Sequence, residues 1–156
     1  MLRRLIDTRD DILPLVLRLV LGGVMFPHGA QKLLGWFSGY GFGGTMSFFT
    51  GTMHIPALFA FLAIMAEFFG SLGLLAGLLT RVAAFGVGCV MVVAVLTTHL
   101  HNGFFMNWFG NQKGEGFEYH LLVLGIVAVL MLRGGGRGSI DRQLSIRDAS
   151  RPGRDA

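Results

Sequence analysis

Phe26-Pro27-His28-Gly29-Ala30-Gln31-Lys32 lies inside the apolar run 13–34 and decides how the whole chain is read. A helical run of that length crosses a hydrocarbon core of about 30 Å at about 1.5 Å per residue. Yet it carries Arg18, His28, Gln31 and Lys32. An ionisable side chain at membrane depth must face protein or water and find partners, so it marks a candidate functional site. His28 and Lys32 share one helical face, and Arg18 falls within about 40° of Lys32 at about 100° per residue. Snorkelling of Arg18 and Lys32 to opposite interfaces is the simpler alternative. His28 is too short for it.

Composition agrees with a membrane class. Of 156 residues, 53% are hydrophobic and only 14% charged, against about 25% charged in soluble domains. The net charge of +4 collects at the chain ends, which suits a phospholipid surface better than nucleic acid. Cys89 is alone, which excludes an internal disulfide and a CxxC redox or zinc motif, and leaves it a role in packing.

Four spans are expected, near 13–34, 55–79, 82–101 and 117–132, packed as an antiparallel four-helix transmembrane bundle with no β-sheet. Thr8 and Asp11 form a candidate capping box before the first span. Three acidic residues, Asp7, Asp10 and Asp11, and the interrupting Arg18 argue against a cleaved signal peptide. The segment 35–54 is rich in Gly and aromatic residues and reads as a flexible interfacial loop. No strand precedes Gly41, Gly43 and Gly44, so a dinucleotide loop is excluded. Pro56 suits the first turn of the second span, whose midpoint is Glu67. There a carboxylate costs about 2.5 kcal/mol or more. Gly70, Gly73 and Gly77, with Ala63 and Ala66, admit a close neighbour, and Thr80 is a candidate cap in a very short turn. The third span is apolar until Thr97-Thr98-His99-Leu100-His101, and 102–116 repeats the aromatic, Gly-containing character of the first loop. Residues 1–133 form the transmembrane domain. Residues 134–156 read as a flexible, solvated basic tail.

With four spans both termini share a side. That side collects Arg3, Arg4, Arg9, Arg81 and the tail arginines, which places both termini in the cytoplasm of a bacterial-type inner membrane. His28, Lys32, His99, Glu118 and His120 then converge on the outer half, with Glu67 central.

Arg18-x3-Gly22-x5-His28-Gly29-x-Gln31-Lys32-Leu33 resembles the opening helix of the DoxX family. Glu67 followed by Gly77-Leu-Leu-Thr80-Arg81 is similar to that family's second helix and turn, and Asn102-Gly103-Phe104-Phe105 with Glu118 completes the set. The resemblance covers about residues 12 to 133. It implies a small four-helix inner-membrane protein, and links to membrane redox chemistry, to sulfur or thiosulfate oxidation feeding quinone, and to oxidative-stress complexes. This chain has no cysteine pair of its own, which argues against an autonomous thiol mechanism.

Glu67 and His28 are the candidate catalytic residues. Lys32, Gln31, His99 and Glu118, with Trp36 and Trp108 from the two aromatic loops, are the candidate ligand-binding residues. Depth matches Glu67 to His28 for a direct contact, with Lys32 and Glu118 forming an outer tier and the aromatics of 36–49 and 104–109 covering the outer mouth. A metal site built from His28, His99 and Glu67 lacks any tight ligand spacing. Two functions remain open, with a membrane anchor as a third. One is a redox subunit binding quinone, working with a soluble redox partner protein or as a homo-oligomer. The other binds or transports a small anion.

Overall fold

The computed structural model describes residues 5–149, and all regular elements among them are helical. Helix α1 is Ile12–Leu34, α2 Gly41–Ser47, α3 Ala57–Ala76, α4 Thr80–Ala94, α5 Glu118–Arg133 and α6 Ile140–Ala149. A π-helical turn at Phe48–Thr52 prolongs α2, and Val95–His99 and Leu100–Asn102 prolong α4. Three helices are long and apolar enough to cross a membrane: Ile12–Leu34, Ala57–Ala76 and Thr80–Asn102. These match the first three expected spans. The fourth expected span is also a helix, but the 16 residues of α5 rise only about 24 Å.

Local chemistry explains the ends of α1. Asp11 caps the helix by accepting the Leu13 N–H at 3.0 Å, and Gly35 closes it in the left-handed region at φ 74°. The expected Thr8–Asp11 capping box does not form. Thr8 is drawn away by a tertiary tie, donating to the Arg133 carbonyl at 3.0 Å and accepting from Gly136 N–H at 2.8 Å.

Small residues set the helix contacts. Gly22 and Gly29 lie on one face of α1 against α3. A Cβ at Gly29 would come within 2.6 Å of the Phe68 Cα, and one at Gly22 within 3.0 Å of the Ser71 carbonyl oxygen. The partner numbers fall as the α1 numbers rise, so the pair is antiparallel. In the same way Gly86 meets Ala66 across α3 and α4, and Gly88 meets Val127 across α4 and α5. α5 also packs on α1. Leu21, Met25, Leu74, Ala84, Val87, Met91, Val123, Val127 and Leu130 form one core shared by these four helices. Cys89 is not part of it; the side chain is exposed on α4.

Two segments differ from expectation. Much of 35–54 is helical rather than a flexible loop, because α2 and its π turn fold back onto α1 and α3. The described part of the tail, 134–149, is docked rather than solvated. Ser139 and Asp141 are buried, and Asp141 accepts the backbone N–H groups of Leu79 at 2.7 Å and Thr80 at 2.8 Å. Those are unpaired donors at the start of α4. Thr80 is therefore capped from α6 and not the cap itself, and Leu79 is held in the left-handed region at φ 47°. Residues 150–156 of the expected tail lie outside the described residues.

Arg18 belongs to the same assembly and does not snorkel. Only 2% exposed, it donates to the carbonyls of Gly135 at 3.0 Å, Leu74 at 3.1 Å, Leu75 at 2.6 Å and Arg137 at 3.4 Å. At the rim, Asp10 accepts from Arg137 Nε at 2.8 Å and pairs with Arg142 at 3.0 Å. The Arg137 hydrogen bond holds the Asp10 carboxyl below its ordinary value of 3.8. A carboxyl depressed in the folded state supports folding above its unfolded pKa, and that support is lost as pH falls through the folded value. Hydrogen exchange of α6 amides is therefore expected to quicken below about pH 4. In Asp10→Asn that exchange should already be faster at neutral pH, with this acid step gone.

Candidate functional site

The polar stripe of α1 meets α3 at one point. Lys32 Nζ lies 2.5 Å from Glu67 Oε2, with the lysine side chain 26% exposed and the carboxylate 4%. Of the expected hydrogen bond or close approach between His28 and Glu67, the hydrogen bond does not form; Lys32 takes the carboxylate instead. The neighbouring Gly29 abuts the backbone at Glu67 and Phe68, but no hydrogen bond joins His28 to Glu67 among the described residues.

The reason lies in helix geometry. Gly29 abuts the backbone at Glu67 and Phe68, so His28 is level with Glu67 and Lys32 one turn beyond. Every Cα–Cβ bond leans toward the N-terminus of its helix. In an antiparallel pair the Lys32 side chain therefore leans back toward Glu67 while Glu67 leans out toward Lys32. His28 leans past.

Around the pair, Phe26 packs against Phe68 with ring centroids 5.9 Å apart and edge-on to Trp36 at 6.4 Å. Tyr119 was not singled out from sequence, since nothing in its apolar helix distinguishes it from an interfacial tyrosine. Its hydroxyl reaches the Met25 sulfur at 3.7 Å. Gln31 serves the backbone instead, donating to the Phe37 carbonyl at 3.2 Å. There Phe37 and Ser38 have positive φ of 51° and 63°.

His99, Glu118 and Trp108 form a second group. Glu118 is not in a tier with Lys32. Its carboxylate accepts from Met106 N–H at 3.1 Å and Trp108 Nε1 at 3.2 Å, because the 103–117 loop needs an acceptor for its own donors. Trp108 is 79% exposed. His99 Nδ1 is 2.8 Å from the Glu115 carbonyl oxygen, and its ring lies 4.1 Å from that of His120. Of the two aromatic loops, the first packs beside the Lys32 end of α1, while the second is anchored on the start of α5. Among the described residues no group of three or more His, Cys, Asp or Glu is placed to hold a metal ion.

A partly accessible ammonium above a buried carboxylate can donate a hydrogen bond to a ligand oxygen and exchange a proton across a short contact. The arrangement depends on the close crossing at Gly29. Gly29→Ala places a Cβ against the Phe68 backbone, and overpacking of this kind costs about 1–3 kcal/mol. Its thermal midpoint in detergent is expected to fall, with reduced protection of Glu67 from carbodiimide labelling.

Comparison with known proteins gives a consistent picture. The DoxX family model matches residues 13–100, more than half of the chain. A protein of Bacillus subtilis (strain 168), named "Putative oxidoreductase CatD", is 29% identical over 116 residues, covering 74% of this chain and 76% of that protein. No solved structure gives a significant match.

Proposed function

This chain belongs to the DoxX family, and on that premise we propose a four-span antiparallel bundle of the inner membrane that serves as a subunit of a membrane oxidoreductase system. The name of the Bacillus subtilis relative supports an oxidoreductase role. Membership of α5 in the shared core supports the fourth span, with local thinning of the bilayer offsetting its length. Arg81, Arg133, Arg137 and Arg142 crowd the end that carries Thr8, which supports cytoplasmic termini. Lys32 and Glu67 then lie toward the outer half.

The observation that carries the reading is the Lys32–Glu67 pair, with its carboxylate sealed and its ammonium partly accessible. A quinone or related apolar acceptor suits it, because Phe26, Phe68 and Trp36 give an aromatic wall beside a hydrogen-bond donor. Such an acceptor, when bound, supplies the electron-transfer chemistry. Lys32 would orient its oxygen, Glu67 would hold the accompanying proton, and the aromatic wall would exclude water. Since the chain has no cysteine pair, reducing equivalents would come from a soluble redox partner protein. Neutralisation of Lys32 by Glu67 weighs against the small-anion alternative.

Titration of purified protein with a short-chain ubiquinone, read by tryptophan fluorescence, tests this. Saturable binding is expected, weakened at least about tenfold in Glu67→Gln and insensitive to salt. No saturable binding by the unsubstituted protein would overturn the quinone reading. Salt-sensitive competition by thiosulfate would favour the anion.

A further inference from the structure

Residues 103–117 join the helical extension of α4 to α5 through a loop whose polar groups are turned on one another. Gly116 N–H donates to the Phe105 carbonyl at 3.2 Å, Phe117 N–H to that of Gly103 at 3.2 Å and Glu118 N–H to that of Phe104 at 2.9 Å, so the two stems are laced together at the start of α5. Further along, Asn107 N–H donates to Glu115 Oε2 at 2.7 Å, while the Asn107 side chain accepts from Gln112 N–H at 3.0 Å and donates to the Gln112 carbonyl at 3.3 Å. Glu118 takes the Met106 N–H and the Trp108 indole. Backbone groups satisfied in this way do not depend on water.

The apolar side chains of the same loop point outward. The Asn107 carbonyl accepts the Gly110 N–H at 3.1 Å, closing a turn that has Trp108 and Phe109 at its two corners and Gly110 at φ 67°. Gly, Pro, Asn, Asp and Ser dominate such corners, and two large aromatic residues there are costly to leave in water. Phe109 is 90% exposed, more than any other large apolar side chain among the described residues, and Phe105 is 66% exposed. The Trp108 ring is as open, yet its Nε1 is bound at 3.2 Å to Glu118, the first residue of α5. That tether holds the indole at the level where α5 begins. The helix ends on either side of the loop carry exposed Leu96, Leu100, Leu121 and Leu122, so apolar surface runs from the helices onto the loop.

We infer that 105–109 is a membrane anchor, with Phe105, Trp108 and Phe109 seated in the interfacial zone of the lipid leaflet at that end and Glu118 as the positioning residue that holds Trp108 there. The tether favours phospholipid over a soluble protein partner, since an indole meant to meet a partner above the membrane would not be drawn back to the first turn of α5. An indole suits the headgroup boundary, its N–H on a polar acceptor and its ring against acyl chains. Asn111, Gln112 and Lys113, all exposed on the other limb of the loop, supply its polar side. The inference rests on the reading of α5 as a fourth span and not on any redox role. It also gives Trp108 and Glu118 a task apart from the Lys32–Glu67 pair.

The chain has two tryptophans, so Trp36→Phe leaves Trp108 as the sole indole of the full-length protein in phosphatidylcholine nanodiscs. Lipids brominated at the shallow end of the acyl chains are expected to remove most of its emission, while aqueous iodide leaves it nearly unchanged. Glu118→Ala in the same background should reverse the pattern, with emission moved to longer wavelength and open to iodide. Glu118→Gln, whose amide oxygen still accepts, should keep the original pattern. A reporter on the helix separates the loop from the span: Leu122→Trp, with Trp36 and Trp108 both replaced by Phe, should be quenched by bromine deeper in the chains. Quenching of Trp108 by iodide and not by bromine would overturn the anchor and favour a soluble partner over the loop. In that event a quenched Leu122→Trp leaves the fourth span standing, and an unquenched one removes the span as well. Lipid quenching that persists unchanged in Glu118→Ala would overturn the positioning role of Glu118.

Discussion

Lys32→Met is expected to destabilise the protein by about 3–5 kcal/mol, the usual cost of leaving one member of a buried ion pair without its partner. Glu67→Gln and Glu67→Leu should cost distinctly less. The asymmetry follows from the two exposures, 26% for the lysine side chain and 4% for the glutamate. Deprived of Glu67, Lys32 lies close to the C-terminal end of α1 and can swing its ammonium toward the interface. Deprived of Lys32, Glu67 has no such route, since Gly29 and Phe68 close the helices around it. The double replacement Lys32→Met with Glu67→Leu should recover most of the loss, because no charge is then buried and the volume stays filled. Unfolding in mixed detergent micelles measures all four. Equal costs for the two single changes would show that the carboxylate reaches water by a path the packing does not reveal.

The second large effect is expected at Arg18. Its guanidinium serves the last-turn carbonyls of α3 at Leu74 and Leu75 and also the carbonyls of Gly135 and Arg137. Arg18→Leu would leave four carbonyl acceptors at this buried corner without their donor, at about 1–3 kcal/mol for each that finds no other partner. Arg18→Lys should recover little, since a single ammonium cannot span acceptors that a planar fork reaches together. Undocking of α6 should accompany the loss, seen as faster tryptic cleavage after Arg142. An unchanged unfolding midpoint with unchanged cleavage would refute the clamp.

How much of this was legible in the sequence depends on the kind of signal. Three membrane-length helices fall where the apolar runs lie, because at that length burial in hydrocarbon outweighs local propensity. Lys32, Glu67 and His28 were recognisable as a group because charge inside an apolar run has few places to go. Their pairing was not, since matching residues by depth ignores the lean of side chains along an antiparallel pair. Nor was the docking of 134–149 readable. A Gly- and Arg-rich segment has the composition of a solvated tail, and nothing in it shows that Asp141 answers the open N–H groups of Leu79 and Thr80. His120 was placed in the outer half, but beside Glu118 and Tyr119 it reads as one more interfacial residue, and its burial against the ring of His99 was not legible.

The capping of the α3–α4 corner from both directions along the chain bears on how the protein is made. Arg18 enters the membrane early, yet its Gly135 acceptor is 117 residues later in synthesis. The backbone donor at Thr80 waits 61 residues for Asp141. A nascent chain halted before residue 135 therefore holds a guanidinium served only by the Leu74 and Leu75 carbonyls, and a helix start still without Asp141. Such a chain is loosened at the α3–α4 corner and open to proteases there. Emergence of 135–141, rather than formation of α5, is the event that seals it.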